Sequence, residues 1–314
     1  TNNTAEPRLC LYLFERGDAL ETKRVKKFVG GQAVIEGVMM RGPKYTATAV
    51  REPGGQIVVD TKPTTSISEK YPILKKPLLR GCVALYESLV IGMSALSFSA
   101  KAAGEEEETM SNKEIALTMV FSTVMAIALF LALPTYAAKW IPGIGDNHFV
   151  LNLVEGAIRL LLFLLYIWAI GQTKDIRRVF QYHGAEHKTI HTYESDVPLT
   201  VENVRQHSRL HARCGTNFLL IVMVTSIFVF AFLGWPSLWE RIVSRVLFMP
   251  VVAGIAYEMI RLAGRSESVI VKALITPGLW LQYMTTREPD DDQIEVAIRA
   301  LETVRPAEED AYES

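Results

Sequence analysis

With 314 residues, a hydrophobic fraction of 49% and a charged fraction of 21%, the chain is too apolar for an ordinary soluble enzyme. It also carries too much charge to lie wholly in lipid. A formal net charge of −1 gives no basis for nucleic acid as a partner, so membrane lipid is the expected surrounding. The three cysteines, Cys10, Cys82 and Cys214, form no CxxC pair, which excludes a disulfide framework and fits reduced cytoplasmic thiols.

In chain order, residues 1–28 read as a polar, basic leader, and the apolar stretch 9–14 is too short for the core of a signal peptide. Residues 29–82 read as a cytoplasmic β-rich segment. A small β-meander is expected over about 30–65, with one hairpin centred on Pro53-Gly54. The glycine-dense run from Gly30 to Gly42 lacks the GKS or GKT ending of a phosphate loop, so its glycines are assigned to tight turns. Glu36 and Arg41 would reach a functional site only if the meander packs over it. Pro72 and Pro77 break the chain before residues 83–100, which carry Glu87 and read as an interfacial or re-entrant helix. Residues 105–108 are an acidic, solvated linker.

Residues 113–170 hold two expected transmembrane helices, at 115–134 and 149–170. The first is about twenty residues without a charge, enough for a core of roughly 30 Å. Glu155 and Arg159 lie four apart in the second and can pair on an inward face. Residues 171–216 form a histidine-rich loop with helices. Residues 217–264 hold two more transmembrane helices, at 218–235 and 246–260, the latter bounded by Arg245 and Arg261 snorkelling to the interfaces. Residues 265–314 begin with an interfacial helix broken at Pro277-Gly278. They end in an amphipathic helix from Asp292 with Ile294, Ala297, Ile298, Leu301 and Val304 at helical spacing, terminated by Pro306. The fold class expected is a mainly α polytopic membrane protein with about four spans and a small cytoplasmic β-meander near its N-terminus.

Topology follows from charge. Lys174, Arg177, Arg178, Lys188, Arg205, Arg209 and Arg213 crowd the 171–216 segment, whereas the connections on the opposite side carry few positive residues. The positive-inside rule then places that segment and both termini in the cytoplasm of a bacterial inner membrane.

The chemistry concentrates in Tyr182-His183-Gly184-Ala185-Glu186-His187-Lys188. On a helix, His183 and His187 project from one face a turn apart and can grip one metal ion, with Glu186 beside them as a general base. The order His-x-x-Glu-His is the inverted form of a zinc-protease signature. An i,i+4 histidine pair can also be a solvated polar face, but five of the six histidines and one cysteine fall between His183 and Cys214. Glu194 or His211 can supply a third ligand, leaving an open position as in catalytic zinc sites. His183, His187, His211 and Cys214 together would instead close a structural site. The nitrogen and sulfur donors favour a divalent metal, zinc first. His148 is polar surface, and nothing in the spacing demands His191 or His207.

Four blocks carry a resemblance: GGQAVIEGVMMRGP at 30–43, YHGAEHKTI at 182–190, HARCGTNFL at 211–219 and TTREPDDDQIEVAIRALE at 285–302. Through them the chain resembles the bacterial YqhQ family of membrane proteins, labelled as predicted metal-dependent enzymes. The resemblance implies roles for His183, Glu186, His187, Tyr193, Glu194, His211, Arg213 and Cys214. The function expected is a membrane-anchored metal-dependent hydrolase, a peptidase among the options, with its site at the cytoplasmic face. The alternatives are a non-enzymatic membrane scaffold around a structural zinc closed by Cys214 and, ranking lower, a divalent-metal transporter. The transporter is disfavoured because its ligands would lie mid-membrane.

Overall fold

In the computed structural model, residues 29–104, 112–143, 147–211, 214–234, 237–263 and 268–312 are described. The expected leader with Cys10, the acidic run at 105–108 and Arg213 lie outside them. The chain is mainly helical, with a small antiparallel sheet near its N-terminus.

The sheet comprises β1 (Gly30–Val34), β2 (Gly37–Arg41), β3 (Tyr45–Arg51) and β4 (Ile57–Pro63), ordered β1-β2-β3-β4 as an antiparallel meander. Arg51 pairs with Ile57 across the expected Pro53-Gly54 turn, where Gly55 takes φ +86° and its N–H donates to the Glu52 carbonyl at 2.8 Å. Alternating side chains give the sheet two faces. Val38, Met40, Ala47 and Ala49 form one core with residues of the C-terminal half of the chain, while Val34, Met39 and Val50 form another with Ala95.

Eleven helices are described after the sheet. They begin with a short turn, α1 (Ile67–Lys70), and α2 (Leu79–Ala102), followed by α3 (Asn112–Ile127), α4 (Leu133–Lys139) and α5 (His148–Ile170). A π-helical turn, Ala128–Ala132, joins α3 to α4. Then come α6 (Lys174–Glu194), α7 (Val201–Gln206), α8 (Gly215–Ala231), α9 (Leu238–Ala263), α10 (Val269–Thr285) and α11 (Asp291–Tyr312).

Among the described residues, four stretches are long and apolar enough to cross a membrane: Leu79–Ala102, Leu117–Lys139, His148–Ile170 and Trp239–Leu262. The number matches the expectation but the membership differs. The segment expected to span at 218–235 is α8, only 17 residues long, about 26 Å at 1.5 Å per residue. It packs against α5, α9 and α10. The α2 segment qualifies by length and composition, yet it serves two partners. Its start lies on α9, where a Cβ on Gly81 would come within 2.8 Å of Tyr257 and Arg80 pairs with Glu258. Its second half lays Ile91, Ala95 and Phe98 on the sheet.

Pro134, at the end of the expected 115–134 span, sits in the first turn of α4 directly after the π-helical turn, and the helical stretch continues to Lys139. Two expected helix breaks are absent. Pro277 lies inside a continuous α10, and α11 runs through Pro306 to Tyr312. The start of α11 is a reciprocal cap, with the Gln293 N–H on Asp290 Oδ1 at 2.9 Å and the Asp290 N–H on Gln293 Oε1 at 3.0 Å. Arg245 does not snorkel. It turns inward onto Glu155, which also holds Arg159 and, at 2.9 Å, Arg241.

Candidate metal centre

Helix α6 is buried on both sides. Tyr182, Ala185 and Ile190 face the sheet together with Ile294, Ala297 and Leu301 of α11. The opposite face carries His183, His187 and His191 at intervals of four, stacked as one row. The segment 209–211 and the end of α10 close over that row. Gly184 makes the close approach possible, because a Cβ there would stand 2.0 Å from the Arg287 carbonyl oxygen.

Each imidazole is oriented by a backbone carbonyl. His183 Nδ1 donates to the Thr285 carbonyl at 2.8 Å, His187 Nδ1 to that of Arg209 at 2.6 Å, and His191 Nε2 to that of Leu210 at 2.8 Å. A carbonyl only accepts, so the proton lies on the named nitrogen and the lone pair points from the other. For His183 that lone pair meets Cys214 Sγ at 3.2 Å. For His187 the Nε2 is buried and has no hydrogen-bond partner among the described residues. Such an orphan is costly unless something else satisfies it.

The ligand atoms form two groups, each with its atoms within 4.8 Å of one another: His183, His187 and Cys214, and His191, Glu194 and His211. The six residues expected to act at the site are therefore near one another, but His211 and Glu194 stand apart from the His183 pair. His191, which spacing alone did not demand, completes their group. His211 Nε2 is 3.4 Å from Glu194 Oε2. Burial sets the charge state of the centre. It holds His187 well below the usual histidine range, helped by the neighbouring His183 and His211, and it pushes His211 down to about 4. It also raises the Cys214 thiol, against two hydrogen bonds with Thr216.

Glu186 sits on the cavity side of this row. Burial raises its carboxyl to about 8, opposed by His183 and reinforced by Cys214. Strand β1 crosses directly above it, since a Cβ on Gly31 would stand 2.8 Å from the Glu186 side chain. A cavity of about 940 Å³ opens here, walled by Gly31 and Gln32 of β1, Arg41, Ile91 of α2 and Phe180, with His183, Glu186 and Cys214 at its end. Of the two meander residues singled out, Arg41 reaches this cavity and pairs with Glu87 at 3.1 Å. Glu36 does not. It pairs with Arg178 and accepts from the Tyr182 hydroxyl at 3.3 Å. Tyr193 is core, and His207 bonds Thr192 and Asn203 outside both groups. The backbone carbonyls of Arg209, Leu210 and Thr285 have no signature in side-chain type, so sequence reasoning did not find them. Gly31 stood in a recognised block, but as a turn residue.

The profile of a family described as "Protein of unknown function (DUF1385)" matches residues 76–307. A curated relative, "Uncharacterized protein YqhQ" of Bacillus subtilis (strain 168), is 38% identical over 294 residues, covering 88% of this chain and 92% of its own. The chain belongs to the DUF1385 family. No solved structure matches it. Both ligand groups and Glu186 fall inside the DUF1385 match, whereas the Gly31 crossing precedes it.

Proposed function

We propose that this protein is a membrane-anchored, metal-dependent hydrolase with its centre at the cytoplasmic face, and that peptides are the favoured substrates. The observation that supports this most is His187 Nε2: buried, stripped of charge, fixed by its other nitrogen and without a hydrogen-bond partner. The Glu186 carboxyl, beneath the β1 crossing where Gly31 leaves no room for a Cβ, lines the cavity beside it. His183, His187 and Cys214 would hold a divalent ion, and their two nitrogens and one sulfur suit zinc. When bound, such an ion supplies Lewis acidity and lowers the pKa of water towards 7.

The residues of the chain divide the remaining work. The Thr285 and Arg209 carbonyls hold the two imidazoles in the tautomer that offers a lone pair. Glu186 takes a proton from water on the cavity side and returns it to the leaving group. Burial, opposed by His183, holds that carboxyl at about 8, so a cation held by His183 and His187 would favour its proton-accepting form near neutral pH. Three protein ligands, two of them on the cavity wall, would not complete a tetrahedral set, which separates this reading from a closed structural site. The candidate ligands lie on α6 and before α8, outside the stretches long enough to span, which weighs against a transporter.

The test uses the full chain in detergent, loaded with cobalt. A hydroxamate should change the cobalt absorption spectrum, and Glu186→Gln should keep the metal while lowering peptide turnover about 10²–10⁴-fold. A spectrum indifferent to added ligand, or turnover unchanged by Glu186→Gln, overturns the hydrolase. For orientation, a cysteine replacing the exposed Glu202 should resist an impermeant reagent applied outside the cell, and one replacing Trp140 should react. The reverse pattern overturns the cytoplasmic placement.

A further inference from the structure

We infer that the protein carries a second divalent-metal site, made by His191 and Glu194 of α6 with His211 of the segment that follows α7, and distinct from the His183, His187 and Cys214 centre. The two α6 residues lie three apart on one helical face, and the third arrives from across the row. One ligand atom from each falls within 4.8 Å of the others. Two imidazoles and a carboxylate are a donor set that zinc and its neighbours accept with a water completing the shell.

Three features of geometry point to a ligand site. First, His211 Nε2 and Glu194 Oε2 face each other at 3.4 Å, longer than a usual charge-assisted hydrogen bond. Second, His191 donates Nε2–H to the Leu210 carbonyl, which directs its Nδ1 lone pair to the other side. Third, His211 is held from its backbone: its N–H donates to Gln282 Oε1 and its carbonyl accepts from Gln282 Nε2, both at 2.8 Å. Ring centroids run 4.4 Å from His183 to His187, 5.7 Å from His187 to His211 and 4.7 Å from His211 to His191. The four rings therefore make a row in which the widest gap separates the two groups. Glu186 and the cavity adjoin only the first group, whereas Glu194 is partly exposed and lets the second open to solvent.

The second ion would clamp the 209–211 segment to α6. Arg209 offers its carbonyl to His187, Leu210 offers its own to His191, and His211 supplies a ligand, so three consecutive residues are stitched to one helix. Occupancy of the second site then stiffens the carbonyl that orients His187 in the first. Losing it should weaken metal binding at the first centre about 10–100-fold, the size of effect seen when an orienting partner is removed.

The experiment is metal stoichiometry and cobalt spectroscopy on the full chain in detergent. At saturating cobalt, the wild type should hold two ions, one of them giving a thiolate-to-cobalt charge-transfer band from Cys214. His191→Ala and the milder Glu194→Gln should each drop the count to one and keep that band, which also reports that the fold survives. Cys214→Ser should remove the band and leave the second ion in place. One ion in the wild type with the thiolate band, or two ions retained in both His191→Ala and Glu194→Gln, overturns the second site. One ion without the band, lost in His191→Ala but not in Cys214→Ser, supports the second site and overturns the first centre instead.

Discussion

Two buried polar clusters in this protein are built on opposite principles. In the helical bundle, Glu155 is 1% exposed and holds the guanidinium groups of Arg159, Arg241 and Arg245, with the Phe130 carbonyl and the Thr135 hydroxyl taking further donors. Charge there is kept, one carboxylate being shared by a guanidinium of its own helix and two of α9. In the histidine row, burial works against charge instead: it depresses His187 and His211, raises the Glu186 carboxyl and leaves His187 Nε2 without a hydrogen-bond partner among the described residues. The contrast shows how to separate structural from functional polarity. A buried group with its counter-charge beside it explains itself, whereas one that is oriented, neutral and unpartnered calls for a ligand.

The comparison breaks most sharply at Glu155. Glu155→Ala leaves three buried guanidiniums with no carboxylate and should cost about 3–5 kcal/mol. Thermal unfolding in detergent measures it, and a loss below about 1 kcal/mol would mean the network contributes little. Metal content should be unchanged in whatever fraction stays folded.

A smaller effect sharpens the other side. In metal-free protein, the raised Glu186 carboxyl favours the folded state fully below its ordinary value of 4.5, and that contribution is lost as pH climbs to about 8. His187 and His211 are depressed, so their contribution is present above 6.5 and is lost as pH falls, towards about 4 for His211. Metal-free stability should therefore peak between these limbs. Glu186→Gln should flatten the alkaline limb alone, as melting temperature against pH would record. An alkaline limb identical in wild type and variant would place the titration elsewhere.

The smallest effect concerns Gly184. A Cβ there meets the Arg287 carbonyl and must push the 285–287 strap outward, carrying the Thr285 carbonyl off His183. Gly184→Ala should weaken metal binding about 10–100-fold by competition with a chromophoric chelator. Unaltered affinity would show that His183 needs no such support.

Much of the architecture was legible in local pattern. The meander and its Pro53-Gly54 turn, the helix over His183 and His187, and the Glu155–Arg159 pair all follow from residues close in the chain. Helix ends were less legible, because an interior proline costs a hydrogen bond and some steric strain that packing can offset: at Pro277 and Pro306 the helix continues through the proline.

The sequence by itself determined that His183 and His187 would share one helix face, because 3.6 residues per turn is a property of the local backbone. Only the tertiary structure decided how the candidate ligands divide. His211 joins His191 and Glu194, not the His183 pair, because the 209–211 segment is drawn down the row by carbonyls and by Gln282 on a distant helix. Likewise, only the packing of β1 over α6 put Gly31 against Glu186 and made a cavity of that place. Backbone carbonyls and the absence of a side chain leave no signature in a sequence. They act only once the chain has brought distant segments within a few ångströms.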